Sequence, residues 1–329
     1  MKKINLNIKK IGLGIIGIII VAVFVWPYNK NTENIVNNVN NLPKKITVPV
    51  PPIYFDSPKK IEWNLIQIDG VSKAEVLTTE KAAISEGQNR KFAELMGLNY
   101  DTRQLNSNQI SINQNNKHVA IYLNNGSLEY GENIESKSQV SYAVKKSVET
   151  LESNLNQLLH NIIDVNKVNF KISNVAYQQF VYPRWVSSDE ASSDTVEIEA
   201  NYVIDNIPLL TFSSSPIKAT YSWGGKLVKL QILLPPKIIS KTKIDKYISV
   251  DEMKKWPEKS FYVYKVVVNK NYELAAVQEK IGTANITSGF VGYVYDPGSN
   301  ITVPYYILEG NSELETGVAR VTLITPALL

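Results

Sequence analysis

The most regular pattern of apolar positions lies between residues 138 and 161. Apolar residues recur there at spacings of three or four, as expected for a helix with one buried face. They are Val140, Val144, Val148, Leu151, Leu155, Leu158 and Ile162. Two further helices are predicted. One covers residues 79–96 with Thr79 as N-cap, and a short one begins at Ser249, where Ser249-Val250-Asp251-Glu252 has the sequence of a capping box.

Alternation of apolar and polar positions predicts strands between these helices. The predicted strands lie near residues 110–112, 119–123, 168–172, 196–200, 217–223, 226–233, 261–268, 286–295, 301–308 and 318–324. Tight turns are predicted at Asn115-Asn116, Asn124-Asn125-Gly126, Gly224-Gly225 and Asp296-Pro297-Gly298. Runs of strands interrupted by single helices indicate an α+β fold, in which a helix covers one face of each antiparallel sheet.

Residues 11–26, with the sequence IGLGIIGIIIVAVFVW, form an uncharged apolar run near the start of the chain. As a helix this run rises roughly 24 Å, somewhat less than a hydrocarbon core of ~30 Å. Lys9 and Lys10 flank one end, and Trp26 suits the opposite interface. A cleaved signal peptide is the alternative, but no small-x-small cleavage site follows the run.

The sequence therefore predicts a lipid-embedded anchor from Ile11 to Trp26. The early lysines precede it, so the positive-inside rule predicts a cytoplasmic N-terminus and an extracytoplasmic C-terminal part. The predicted segments are a cytoplasmic N-terminus (1–10), a transmembrane helix (11–26), an Asn/Pro-rich linker (27–52) and three α+β units (53–135, 136–247 and 248–329). The linker has few apolar residues to drive folding and is interpreted as a spacer.

Charge and composition narrow the function classes. The net charge is +4, part of which comes from the lysines before the anchor, so a nucleic-acid partner is not expected. The chain has no cysteine, which excludes disulfides and thiolate metal sites. The absence of disulfides in a domain predicted to lie outside the cytoplasm favours a bacterial source.

No catalytic signature is found. His118 and His160 are the two imidazole bases, and no Gly-x-Ser-x-Gly motif accompanies them. Ser-x-x-Lys begins at Ser57, Ser215 and Ser240 without the companion motifs of penicillin-binding enzymes. The acidic stretch 187–194 is interpreted as a solvated loop rather than a cation site. We therefore predict a non-enzymatic protein with no catalytic residues, no cofactor and no metal.

Aromatic residues are the remaining candidates for function. They concentrate in the central strands and near the C-terminus, and Tyr and Trp serve both in cores and as anchors at interfaces. The candidate partner-binding residues are Tyr182, Trp185, Tyr221, Trp223, Tyr305 and Tyr306. Packing within the core is the alternative interpretation of this set.

Three stretches of the second half resemble the extracytoplasmic domains of YycI/YycH-like regulators of a membrane histidine kinase, and more loosely PepSY-type domains. They are residues 196–231, which contain the strand-turn-proline-strand segment 202–209, residues 248–253, and residues 286–308 with Val303-Pro304-Tyr305-Tyr306. Asn206 stands where a glycine is common in these proteins, and residues 53–135 match poorly. The resemblance implies PepSY/cystatin-like tandem units, each a sheet with a helix, and a non-catalytic role in binding another envelope protein or peptide.

The sequence thus predicts a membrane-tethered, extracytoplasmic binding or regulatory protein of a bacterial envelope. Its expected partners are the lipid bilayer, through Ile11 to Trp26, and another envelope or membrane protein. Two alternatives remain open. One is a cell-wall or polysaccharide hydrolase, which requires a cleft with two carboxyl groups, at least one with a raised pKa. The other is a structural component of the envelope.

Overall fold

The computed structural model describes residues 56–64, 68, 74–134, 144–163, 169–181, 184–212, 215–244, 247–268, 281–314 and 317–328. The predicted anchor (11–26) and linker (27–52) lie outside the described residues. No helix within the described ranges has both the length and the apolar character needed to span a bilayer. The described residues all belong to one compact unit.

Strands dominate this unit. They are β1 (Lys60–Trp63), β2 (Glu75–Glu80), β3 (Gln104–Leu105), β4 (Gln109–Gln114), β5 (Lys117–Tyr122), β6 (Ser127–Glu132), β7 (Asn169–Val181), β8 (Arg184–Ser187), β9 (Thr195–Ile204), β10 (Ile207–Thr211), β11 (Ile217–Ser222), β12 (Leu227–Leu233), β13 (Lys237–Lys243), β14 (Tyr262–Val268), β15 (Thr283–Tyr295), β16 (Ile301–Leu314) and β17 (Gly317–Pro326). The α-helices are α1 (Glu86–Leu95), α2 (Val148–Ile162) and α3 (Val250–Met253).

One group of strands forms an antiparallel sheet. Its order is β3, β4, β5, β6, β12, β11, β9 and β7. Side chains of directly paired residues share a face. One such row is apolar and buried: Ile112, Val119, Tyr130, Leu230, Ala219 and Ile198. The row on the opposite face is mostly polar: Ser111, Ala120, Glu129, Gln231, Lys218 and Glu199. The antiparallel sheet therefore has one core face and one polar face.

A second group forms a mixed sheet in the order β14, β17, β16 and β15. Two short strands, β1 and β10, pair in parallel with β15. Since β10 also pairs with β9, it connects the mixed sheet to the antiparallel sheet. A ribbon of β2 and β13 joins the start of β16 through Ile301 and Thr302.

Helices α1 and α2 pack into the same core. Ser85 caps α1 in a capping box with Gln88, and Ser147 caps α2 by accepting the N–H of Thr150. The two helices contact each other. The buried face of α2 consists of Leu151, Leu155 and Leu159, which belong to the same apolar cluster as the core face of the antiparallel sheet.

The predicted α+β architecture, with a helix over each of several tandem PepSY/cystatin-like sheets, is wrong. The fold is predominantly β, and its sheets are continuous through β10. Helices α1 and α2 share one core, and α3 has only 4 residues. Among the described elements, no long helix is therefore left to cover the mixed sheet. Backbone pairing also crosses the predicted boundaries at 135/136 and 247/248, through β6–β12 and β10–β15.

Two predicted helix starts are wrong. Thr79 lies in β2, and its N–H donates to the carbonyl of Asn300 at 2.8 Å, so pairing with a distant segment overrides its local capping signal. The helix predicted from residue 138 begins at Val148, and Val144 is exposed before it; residues 138–143 lie outside the described part. The capping box at Ser249 is confirmed.

The predicted hairpins are confirmed. β4 and β5 pair across Asn115-Asn116, and β11 and β12 pair across Gly224-Gly225. Asn115 and Gly225 both have positive φ, 56° and 87°, which tight turns of this kind require. Asp296-Pro297-Gly298 turns the chain between β15 and β16, where the Ser299 N–H donates to the Asp296 carbonyl at 2.9 Å.

Candidate functional site

The structure buries four of the six candidate aromatic residues. Tyr221 is 3% exposed, Trp223 and Tyr305 are 0% exposed, and Tyr306 is 1% exposed. These four therefore serve as core residues, in agreement with the alternative interpretation. Trp185 is half-buried on β8 and packs on Phe180 with ring centroids 5.0 Å apart. Tyr182 lies outside the described residues. The set does not form one exposed patch.

Trp223 fills a structural role at the edge of the core. Its indole N–H donates to the carbonyl and hydroxyl of Ser193, at 3.1 and 2.9 Å. The ring stacks on Tyr177, and the ammonium of Lys145 lies 3.7 Å from the ring centroid. Through these contacts, the loop before β9 (Ser193) and the segment before α2 (Lys145) both pack against the turn between β11 and β12, which contains Trp223. The acidic stretch 187–194 is part of this arrangement, because Glu190 pairs with Lys145 at 3.5 Å.

The two histidines have separate structural environments. The His118 imidazole occupies the space above Gly131 on the neighbouring strand, where a Cβ atom would come within 2.2 Å of it. Partial burial lowers the His118 pKa and Lys229 adds to this effect, while Glu129 opposes it. His160 Nδ1 lies 2.6 Å from the Asn156 carbonyl, one turn back in α2. Neither arrangement provides a base beside a nucleophile.

The hydrolase alternative finds no support in two depressions of the described surface. One, of about 240 Å³, is lined by residues of α1 and α2 and contains no carboxyl group. The other, of about 220 Å³, contains Glu132 as its single carboxyl group. Neither provides the pair of carboxyl groups that glycoside hydrolysis requires. Within the described part of the chain, no cluster of His, Asp and Glu could hold a metal ion.

A buried carboxylate links the two sheets. The Glu199 side chain, on the polar face of β9, is 6% exposed and pairs with Lys218 at 2.9 Å and with Lys265 of β14 at 3.5 Å. The hydroxyl of Ser215 also donates to it at 3.3 Å. Burial alone would raise the Glu199 pKa, but the two lysines and Ser215 together outweigh burial and hold it below its usual value. This charged cluster therefore has a structural role.

A further feature is one edge of β7, which has no partner strand among the described residues along part of its length. The Gln178 carbonyl accepts the N–H of Asp194 just before β9, whereas the adjacent Tyr177 carbonyl accepts the N–H of Ser188 just after β8. Carbonyl groups of successive strand residues point to opposite edges, so β8 and β9 flank β7 on opposite sides. Strand β8 pairs only with residues 178–181. Along residues 169–176, no described strand pairs with the β8 side of β7.

Side chains along this open edge alternate in environment. Phe170, Ile172 and Val175 are half-buried and pack against the core, whereas Asn169 and Lys171 are exposed. The pairing with β9 shifts between Ile172 and Asn174, which marks a β-bulge. Backbone N–H and C=O groups that have no partner strand among the described residues, beside half-buried apolar side chains, form a template for an additional strand.

Strand β13, at the outer side of the β2–β13 ribbon, has a different character. Nearly all of its side chains are exposed, and three of them are lysines: Lys237, Lys241 and Lys243. Lys237 pairs with Glu80 at 3.4 Å. Exposed lysines on an edge strand oppose pairing with another chain. The open edge of β7 has a single lysine, Lys171, and is the better candidate for binding.

Comparison of the chain with protein families, with curated proteins and with solved structures finds no match. The resemblance to YycI/YycH-like regulators therefore remains a prediction. The open edge of β7 was not predicted from the sequence. Its only local signal is the pair Ser173-Asn174, which interrupts the alternation of Phe170, Ile172 and Val175.

Proposed function

We propose that this protein is a membrane-tethered, non-catalytic binding protein that recognises an extended segment of another envelope protein by adding it as a strand to β7. The observation that carries this proposal is the open edge of β7 along residues 169–176. Strand addition draws affinity from backbone hydrogen bonds and selectivity from alternate side chains. Each net hydrogen bond contributes about 0.5–1.5 kcal/mol, so several of them hold a peptide without a deep cleft.

Selectivity would come from the apolar side of the new strand. Phe170, Ile172 and Val175 are half-buried along β7, so an incoming strand would place every second side chain beside them. His160, near the end of α2, packs edge-to-face on Phe170 with ring centroids 6.2 Å apart and so contacts this surface. The preferred segment is therefore extended, with apolar residues at alternate positions.

The membrane anchor supports the same function. Residues 11–26 would hold the binding domain close to the bilayer, so the search for a membrane-bound partner is confined to a plane and its effective concentration is raised. An interaction of modest intrinsic affinity is then sufficient. The extracytoplasmic location follows from the lysines that precede the anchor.

The proposal is tested with a proline at the open edge. The N–H of Val175 has the same direction as the Tyr177 carbonyl and therefore points away from β9. Val175→Pro removes this N–H and leaves the donors to β9 in place, whereas Val175→Thr keeps it. We expect tagged full-length Val175→Pro to recover roughly tenfold less partner from native membranes, as loss of ~1.4 kcal/mol implies.

The control Val175→Thr is expected to recover the partner like the wild type, and thermal melting checks that both variants are folded. Equal recovery of the partner by the folded proline and threonine variants would refute recognition at this edge. Recovery of only the protein itself would favour the alternative of a structural envelope component.

A further inference from the structure

A second site lies at the end of the antiparallel sheet, away from the edge of β7. It is a depression of about 220 Å³ where the last residues of α1 meet β5, β6 and the start of β12. This volume is below the range typical of drug-sized ligands and suits a molecule of the size of an amino acid. Glu132, the last residue of β6, lies in its wall.

Glu132 has an unsatisfied acceptor in this depression. Its side chain is 5% exposed. Oε1 accepts from Asn116 Nδ2 and from Lys226 Nζ, both at 2.7 Å, whereas Oε2 is buried without a partner among the described residues. A buried acceptor without a donor costs about 1–3 kcal/mol, and more when it is charged. The site therefore favours a ligand that brings a donor to Oε2.

Two ammonium groups line the same depression. Lys226 pairs with Oε1 of Glu132, and Lys117 lies directly opposite Glu132 on β5 and donates to the Met96 carbonyl at 3.4 Å. An ammonium group has three donors, and these contacts use one on each lysine. The Lys226 side chain is 47% exposed, so its ammonium group is accessible to a ligand in the depression.

Apolar groups complete the wall. Leu227 and Met96 line the depression, and the Leu95 side chain is 40% exposed beside it. Tyr130 also contributes, and its pKa is raised to about 12 by burial and by the charge of Glu132, so its hydroxyl stays protonated and neutral. One small depression is therefore lined by a carboxylate with an unsatisfied acceptor, two ammonium groups and an aliphatic surface.

We infer that this depression binds a free aliphatic α-amino acid in its zwitterionic form. The ligand's ammonium group would donate to Glu132 Oε2, its carboxylate would accept from Lys226 and Lys117, and its side chain would lie against Leu95 and Leu227. A simple anion would leave Oε2 unsatisfied, and a simple cation would meet two lysine charges. The zwitterion satisfies both sets of groups, and this site is independent of the edge of β7.

The test is isothermal titration calorimetry of the full-length protein with L-leucine. We expect saturable binding that weakens at least tenfold with N-acetyl-L-leucine, which lacks the ammonium group, and with isoamylamine, which lacks the carboxylate. Glu132→Gln places an amide N–H₂ where the ammonium acceptor was and is expected to weaken L-leucine binding at least tenfold. Lys226→Met is expected to do the same.

Lys229→Met is the matched control, because this exposed lysine lies on β12, three residues after Lys226, but outside the depression. It is expected to bind L-leucine like the wild type. Thermal melting confirms that each variant is folded. Absence of saturable L-leucine binding by the folded wild type, equal binding of N-acetyl-L-leucine, or unchanged affinity in Glu132→Gln would each overturn the inference.

Discussion

Buried tyrosines in this protein bond to backbone groups of distant elements. The Tyr202 hydroxyl donates to the Leu233 carbonyl at 3.0 Å, and the Tyr293 hydroxyl accepts the N–H of Glu75 at 3.0 Å. Burial raises the pKa of Tyr293 to about 12 and that of Tyr202 well above its ordinary value, so both hydroxyls remain protonated. The abundance of tyrosine is visible in the sequence, but the division between core and surface depends on strand register, which is not.

The ionisation of a single side chain, that of Glu199, makes the free energy of unfolding depend on pH. Its carboxylate is buried between Lys218 and Lys265, which come from the two sheets, and its folded pKa lies below its ordinary value of 4.5. A group with a depressed folded pKa contributes stability above its unfolded pKa and loses that contribution as the pH falls through the folded pKa. The Glu199 contribution is therefore complete at neutral pH and decreases below about pH 4.5.

Replacement of the Glu199 carboxylate tests whether its charge stabilises the folded state at neutral pH. We expect Glu199→Gln to lower the free energy of unfolding at pH 7 by about 1–2 kcal/mol, less than for a fully buried pair because both lysines are partly exposed. The difference between the variant and the wild type is expected to shrink as the pH is lowered from 5 to 3. Urea unfolding at each pH measures it. A constant difference over this range would show that Glu199 is not ionised in the folded state.

Among the secondary-structure elements, the turns were predicted from local signals. The strand at Thr79 and the open edge of β7 depend instead on pairing between distant segments. Asn115 and Gly225 adopt the positive φ that their turns demand, and this information is local. Thr79 and Glu80 carry a plausible helix start, but β2 pairs with β13 and β16, more than 150 residues away. The open edge of β7 also depends on which strands lie beside it, and the interrupted alternation at Ser173-Asn174 marks only a local irregularity of the strand.

The hairpin between β9 and β10 carries a testable local strain. Asp205 and Asn206 have φ of 52° and 67°, the left-handed conformation that costs most residues roughly 1–2 kcal/mol. Asn206→Gly relieves this cost in the folded state and is expected to leave stability unchanged or slightly raised. Asn206→Ala is expected to lower it by about 1 kcal/mol.

Chemical denaturation of the two variants measures the difference between them. Because β10 joins the two sheets, the alanine variant should lose stability in the whole unit. Equal stability of the alanine and glycine variants would contradict the turn conformation described above.

At the scale of the whole molecule, the sheets act as one body because β10 pairs with both β9 and β15. The sequence predicted separate helix-covered units, since periodicity identifies single elements but not the partners with which they pair. One consequence is that the open edge of β7 belongs to a strand anchored by a large core rather than to a small detachable module. A bound strand would therefore meet a rigid, preorganised template, which lowers the entropic cost of binding.

The proposed recognition of a partner at the open edge of β7 is best tested by site-specific photo-crosslinking in native membranes. A photoreactive residue replaces Lys171, exposed at this edge, or Lys229, exposed on β12 and flanked on both sides by paired strands. We predict an adduct with another polypeptide from position 171 that Val175→Pro abolishes, and little or none from position 229. Equal adducts from both positions, or an adduct from position 229 alone, would contradict the claim.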